Sequence, residues 1–224
     1  MKGDLFVVID TPDSGSLDIL KHAITETESS PKTCFLLPDL LKHKNLIQSN
    51  WKWDKNCFQF ENQVTFNEWF LVLSDQFNLA DQIEAVLNLL KSQPNLKLIR
   101  VLSFINAEIL DLDNKEFQKW LDGCAHFSDF LCFTNRSNEN SNKISATQER
   151  YKNMCYPMQT MILGSKKNPP INQILAPISL RISHIFDHSD ILEPDDCPDN
   201  DPYLSIKSNN ERNNPIPLFS QLFS

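Results

Sequence analysis

Short, wholly apolar runs alternate along this chain with stretches of helical spacing, and that alternation leaves few folds open. Leu5-Phe6-Val7-Val8-Ile9, Cys34-Phe35-Leu36-Leu37, Trp69-Phe70-Leu71-Val72-Leu73, Leu98 to Phe104 and Phe130-Leu131-Cys132-Phe133 are the runs. A strand buried on both faces needs apolar residues at successive positions, whereas a half-solvated strand alternates. Between the runs, Leu17, Leu20 and Ile24, then Ile83, Val86, Leu87 and Leu90, recur at the spacing that gathers side chains on one helical face. Phe117 to His126 reads as a short helix with Trp120 and Leu121 inward, and Ser145 to Asn153 as a polar one. Met158 to Leu163 reads as the last core strand, and Asn172 to Ile174 as the start of a final short helix. The repetition β-α-β-α predicts an α/β fold: a mostly parallel sheet flanked by helices in three layers. Phe58 to Phe66 alternates weakly, as a strand or an irregular loop. Trp51 and Trp53 flank Lys52, a pair that packs against the sheet edge or marks a partner site.

The chain has 224 residues, 41% hydrophobic and 22% charged, enough to bury the core such a sheet needs. A net charge of −8 disfavours nucleic acid and anionic membrane as partners. No apolar run reaches the roughly 20 residues of a membrane span. The start, with a five-residue apolar core between aspartates, lacks the features of a secretory signal. The expected location is the cytoplasm, where Cys34, Cys57, Cys124, Cys132, Cys155 and Cys197 are free thiols. From about Asp187, Pro, Asp, Asn and Ser dominate. The expected organisation is one domain over residues 1–186 and a partly disordered tail over 187–224.

Ligands of parallel α/β sheets sit at the carboxyl ends of the strands. The first such loop is Asp10-Thr11-Pro12-Asp13-Ser14-Gly15-Ser16-Leu17. A phosphate-cradling loop reads G-x-x-x-x-G-K-[ST]; its amides hold phosphates, its lysine reaches the outer ones and its hydroxyl holds magnesium. Here Asp10 stands at the first glycine, Gly15 at the second, Ser16 at the lysine and Leu17 at the hydroxyl position. Asp10 and Asp13 would face a triphosphate with like charge.

Four segments, in order, resemble the GTPase domain of the CobW/HypB/UreG metal-chaperone family. Val8-Ile9-Asp10 through Leu20-Lys21-His22-Ala23-Ile24 is similar to its first strand, P-loop and helix start. Phe35-Leu36-Leu37-Pro38-Asp39 resembles the second strand, with Asp39 at an acidic position. Asp75-Gln76-Phe77-Asn78-Leu79-Ala80-Asp81-Gln82 resembles E-T-S-G-L-A-D-P, with Asp75 at the acidic residue, Asn78 at the glycine and Leu79-Ala80-Asp81 intact. Phe127-Ser128-Asp129-Phe130 to Thr134-Asn135-Arg136-Ser137 resembles the segment that reads guanine. The resemblance covers roughly residues 3–178 and implies a P-loop NTPase-like fold.

The departures imply a degenerate domain. The family's C-x-C-C metal motif would fall on Lys55 to Phe60, where only Cys57 remains, and one thiolate cannot hold zinc. The guanine-reading Asp becomes Ser137 and its Lys becomes Asn135; a one-residue slip aligns Asn135-Arg136-Ser137-Asn138 instead, and both registers lack the carboxylate. The leading expectation is a pseudo-GTPase, a non-hydrolysing scaffold with a protein partner and no catalytic residue. One alternative is a working chaperone that binds GTP with magnesium, or zinc, with Lys166 and Lys167 better placed than Lys21 to supply the missing charge. Another is an unrelated magnesium-dependent enzyme using the strand-end carboxylates of Asp10, Asp39 and Asp75.

Other features read more simply. His184 and His188, beside Asp187 and Asp190, have the i, i+4 spacing of metal ligands but the composition of a solvated segment. Asp195, Asp196, Asp199 and Asp201 lack the glycine and glutamate of a calcium loop. His22 and His126 read as core or surface histidines, with no nucleophile elbow nearby. Pro215-Ile216-Pro217-Leu218-Phe219 and Leu222-Phe223 give the tail an apolar end that can dock in a groove of its own domain or of a partner.

Overall fold

The computed structural model describes residues 1–25, 32–39, 41–61, 66–164, 171–187 and 200–223. Within these, β1 (Gly3–Asp10), α1 (Ser16–Thr25), β2 (Thr33–Pro38), β3 (Gln48–Asp54), β4 (Cys57–Phe60), β5 (Glu68–Val72) and α2 (Leu79–Ser92) come first. Then follow β6 (Leu96–Asn106), α3 (Lys115–Phe127), β7 (Phe130–Thr134), α4 (Ser141–Asn153), β8 (Gln159–Ile162) and α5 (Ile171–Leu175). The strands form an eight-stranded sheet in the order β4-β3-β2-β5-β1-β6-β7-β8, parallel except where β4 pairs antiparallel with β3. The expected α/β sandwich, a mostly parallel sheet flanked by helices, is therefore present.

Its centre is apolar on both faces, as the unbroken runs require. Leu5, Val7 and Ile9 turn to a core shared with α2, α3 and α4, through Ile83, Val86, Phe117, Trp120 and Tyr151. Phe6 and Val8 turn the other way, against Leu20 of α1 and Ile174 of α5. Each such side chain contributes about 1.5–3 kcal/mol on full burial. Phe6, Phe70 and Phe35 stack across β1, β5 and β2 with centroids 4.7 and 5.0 Å apart. Helices α2 and α3 start where the sequence offers a cap. Asn78 accepts from the Ala80 N–H, and Asn114 from those of Glu116 and Phe117, satisfying donors that a helix start leaves open.

Strand β3 is an addition to the expected elements, while β4 falls where the weakly alternating Phe58 to Phe66 left a strand or a loop open. Lys55 and Asn56, at φ 48° and 58°, form a two-residue turn of the kind that needs positive φ twice. Trp51 is buried and its indole N–H donates to the Val72 carbonyl at 3.1 Å. The pair Trp51 and Trp53 thus forms part of the sheet itself, closing an aromatic cluster with Phe58 and Phe77. Only two apolar residues in seven hid this strand. Of the segment expected as a partly disordered tail with an apolar end able to dock, residues 200–223 pack along α3 and α2, with Ile216 and Phe219 buried. Among the described residues, no helix is long and apolar enough to cross a membrane.

Candidate functional site

The sheet's switch point lies at β1. The helix after β1 packs on one face, while those after its neighbours β5 and β6 pack on the other. The loops that follow therefore part around the carboxyl end of β1, where such folds hold ligands.

The first loop is closed upon itself. The side chain of Asp10, ending β1, turns into the loop; one carboxylate oxygen accepts from the Ser14 hydroxyl and the other from that of Ser16 at 2.6 Å. The Ser16 N–H donates to Ser14 Oγ at 3.0 Å, and the Ser14 N–H to the Thr11 carbonyl at 3.2 Å. Asp13 and Gly15 take positive φ, 57° and 72°, to complete the bend. Burial pushes the Asp10 carboxyl up to about 6; the two serine hydroxyls and the Thr11 backbone oppose the rise, and Asp75 adds to it. Thr11 is buried, its hydroxyl donating to Phe104 and accepting from the Asn106 N–H. Pro12 and Asp13 are exposed, and Leu17 is half-buried against the α1 face of the core.

The loop after β7 is tied to the first. Asn135, at φ 52°, donates to the Asp13 carbonyl at 2.8 Å and to Asn106 Oδ1 at 3.1 Å. Asn106 in turn donates to the Pro12 carbonyl at 3.2 Å. Ser137 and Asn140 exchange hydrogen bonds in the turn before α4, Arg136 reaches Ser141 at the surface, and Thr134 is buried in β7. Of the four residues expected at a base-reading site, Asn135 thus joins this loop to the first, Arg136 and Ser137 belong to its own turn, and Thr134 bonds within the sheet to the Ile105 carbonyl. Asp129 lies at the opposite end of β7, buried, accepting from the N–H groups of Val101, Leu180 and Arg181.

The third matched segment closes the crevice. Gln82 holds the loop after β5 through the Ser74 N–H and the carbonyls of Ser74 and Phe77. Asn78 caps α2 with its oxygen and donates its amide to the Ile216 carbonyl at 2.7 Å. The Asp75 carbonyl accepts from the Ser220 N–H at 3.3 Å. The cavity between Asp10, Asp75, Gln82, Trp120 and Phe219 measures about 20 Å³, room for one water rather than a nucleotide.

The remaining candidates lie apart. Asp39 is exposed at the end of β2, 3.8 Å from Lys52, so Asp10 and Asp75 approach each other without it. Cys57 is exposed on the β3–β4 hairpin. His184 pairs with Asp187 at 3.0 Å, and Arg181 spans Asp187 and Asp129. Among the described residues no three His, Cys, Asp or Glu side chains are grouped to hold a metal. Lys166, Lys167, His188, Asp190, Asp195, Asp196, Cys197 and Asp199 lie outside the described residues.

Sequence reading missed Asn106, Gln82, Arg212 and the role of Asp201. Arg212 meets Asp81 at 2.5 Å and Glu84 at 2.8 Å. Asp201 is buried, accepting from Ser183 Oγ at 2.6 Å and paired with His126 at 2.7 Å. Burial alone would raise its carboxyl, but the His126 hydrogen bond and charge, with Ser183 and the Tyr203 N–H, hold it below the usual range. The only signal in the sequence was an arginine and an aspartate within a polar tail.

No family model matches the chain, and neither does any curated protein. Two solved structures are similar to it in outline. One is the Zn(II)-bound YjiA GTPase from E. coli, at 6% identity and a TM-score of 0.45. The other is a Zn(II)-bound triple mutant of YjiA GTPase, at 8% and 0.44. In both the match covers 79% of this chain and 62% of the other, so the chain spans less than two thirds of their length.

Proposed function

We propose that this chain is a pseudo-GTPase: a P-loop-type domain kept as a non-hydrolysing binding or regulatory scaffold for a protein partner. The observation that carries the reading is the Asp10 carboxylate, held by Ser14 and Ser16 inside the first loop. An anion bound there would meet a half-buried carboxylate in place of a lysine, and like charges at such a site repel. The bonds from Asn135 and Asn106 to the loop's carbonyls, and the presence of Phe219 at the crevice, support the same reading. A net charge of −8 supports a protein rather than a nucleic acid or an anionic membrane as the partner, and free thiols are in keeping with the cytoplasm.

Calorimetric titration with GTP, GDP and ATP, with and without magnesium and zinc, tests the proposal. The expected result is no heat and no thermal stabilisation at millimolar nucleotide. Micromolar binding of a guanine nucleotide would overturn it in favour of a working nucleotide-dependent chaperone. Nucleotide-independent binding of magnesium, lost in Asp75→Asn, would favour the carboxylate enzyme.

A further inference from the structure

Residues 212–223 lie on the protein as a bound peptide lies in a groove. The segment carries Pro215 and Pro217; the Asn213 and Asn214 N–H groups tie its start to the Ser205 and Pro202 carbonyls, and its side chains meet the body three or four residues apart. Arg212 is clasped by Asp81 and Glu84 of α2. Four residues on, Ile216 is 3% exposed and sits on Gly123 of α3, where an added Cβ would come within 2.6 Å of its Cδ1. Three further, Phe219 packs on Trp120 at 4.6 Å and reaches the crevice beside Asp10 and Asp75. Phe223 follows after another four, over Phe117 at 5.9 Å. Three hydrogen bonds bind the segment's backbone to the groove wall: Asn78 to the Ile216 carbonyl, Asn114 to that of Leu222, and the Ser220 N–H to Asp75. Side-chain amides reading backbone carbonyls, with separate seats for a cation, a branched aliphatic and an aromatic, are the parts of a peptide-recognition site.

We propose that the groove between α2 and α3 is a peptide-binding site, occupied in cis by residues 212–223 and open in trans to a partner segment repeating their Arg-x3-Ile-x2-Phe spacing. This names the partner of the scaffold described above and rests on that reading. The cis segment acts as a tethered competitor at millimolar effective concentration, so a partner engages only by displacing it. Gly123 sets the specificity: the nearest atoms to a Cβ built there all belong to Ile216.

The test uses the full chain and a fluorescein-labelled synthetic peptide of residues 210–223, followed by anisotropy. Two variants weaken the cis segment: Arg212→Glu, which sets like charge against Asp81 and Glu84, and Arg212→Glu with Phe219→Ala. The peptide is expected to bind a folded variant about tenfold or more tightly than it binds the parent. Adding Gly123→Ala is expected to reverse that gain without changing the circular dichroism. Equal or absent binding to a folded variant overturns the proposal. So does loss of the fold in both variants, since the segment is then part of the core. The nucleotide titration reads the scaffold separately: a bound nucleotide sinks the pseudo-GTPase reading, whatever the peptide does.

Discussion

Replacing Asp10 by asparagine isolates the charge at the centre of the first loop. In the folded chain the Asp10 carboxyl is raised from 3.8 to about 6, chiefly by burial. Below the lower value the carboxyl is protonated in the folded and unfolded states alike and gives no pH dependence. Between the two values the folded chain keeps a proton that the unfolded chain has released. Stability then falls as pH rises, by about 1.4 kcal/mol per unit. Above about 6 the loss is complete and the dependence levels off. The full difference approaches 3 kcal/mol, and with the residue only half-buried about 2 kcal/mol is the expected size. The asparagine side chain cannot titrate. One of the two serine hydroxyls can turn to accept from its amide, so the loop's hydrogen bonds survive. Urea unfolding followed by tryptophan fluorescence, at half-unit steps from pH 3.5 to 8, measures both proteins; ionisations elsewhere cancel in the difference. Asp10→Asn should gain about 2 kcal/mol on the parent between pH 4 and pH 6.5 and hold it above. A difference that stays flat across that range, or falls, would refute the picture of a desolvated carboxylate filling the loop.

Asp201, with its depressed carboxyl, has the opposite sign: its contribution is present above the ordinary carboxylate range and is lost as pH falls through the lowered value. Asp201→Ala should therefore cost about 1–3 kcal/mol near neutral pH by leaving His126, the Ser183 hydroxyl and the Tyr203 N–H without their buried acceptor, and markedly less once pH falls through the lowered value, as read by thermal unfolding across pH. Asn135→Ala removes the two bonds that tie the β7 loop to the first loop. It should cost about 1–2 kcal/mol and raise amide exchange at residues 11–15 while leaving that of β1 unchanged, as hydrogen-exchange mass spectrometry would show.

How much of this was legible in the sequence depended on the range of the interaction. The five apolar runs became β1, β2, β5, β6 and β7 because burial on both faces leaves a local mark, residue after residue. The departures in the first loop were equally local: Ser16 where a phosphate site carries lysine, and a single glycine, could be read directly. Strand β3, second from the end of the sheet, left a poorer record, because only Trp51 and Trp53 of its seven residues are apolar.

Which groups answer one another was decided by the tertiary structure. The sequence placed a carboxylate in a degenerate loop; the fold turned it inward onto Ser14 and Ser16 and brought Asp75 beside it while leaving Asp39 with Lys52. Asn135 meets the first loop across 122 residues, and Asn78 meets Ile216 across 138. Periodicity and composition report the environment of a residue, buried or solvated, in helix or strand. They do not say which distant residue supplies that environment, because such a hydrogen bond or apolar seat forms only once the chain has closed on itself. The apolar end of the tail, which the sequence left free to dock on its own domain or on a partner, came to lay Ile216 and Phe219 in the groove of α3, and Asp81, in the best-preserved motif, came to hold Arg212.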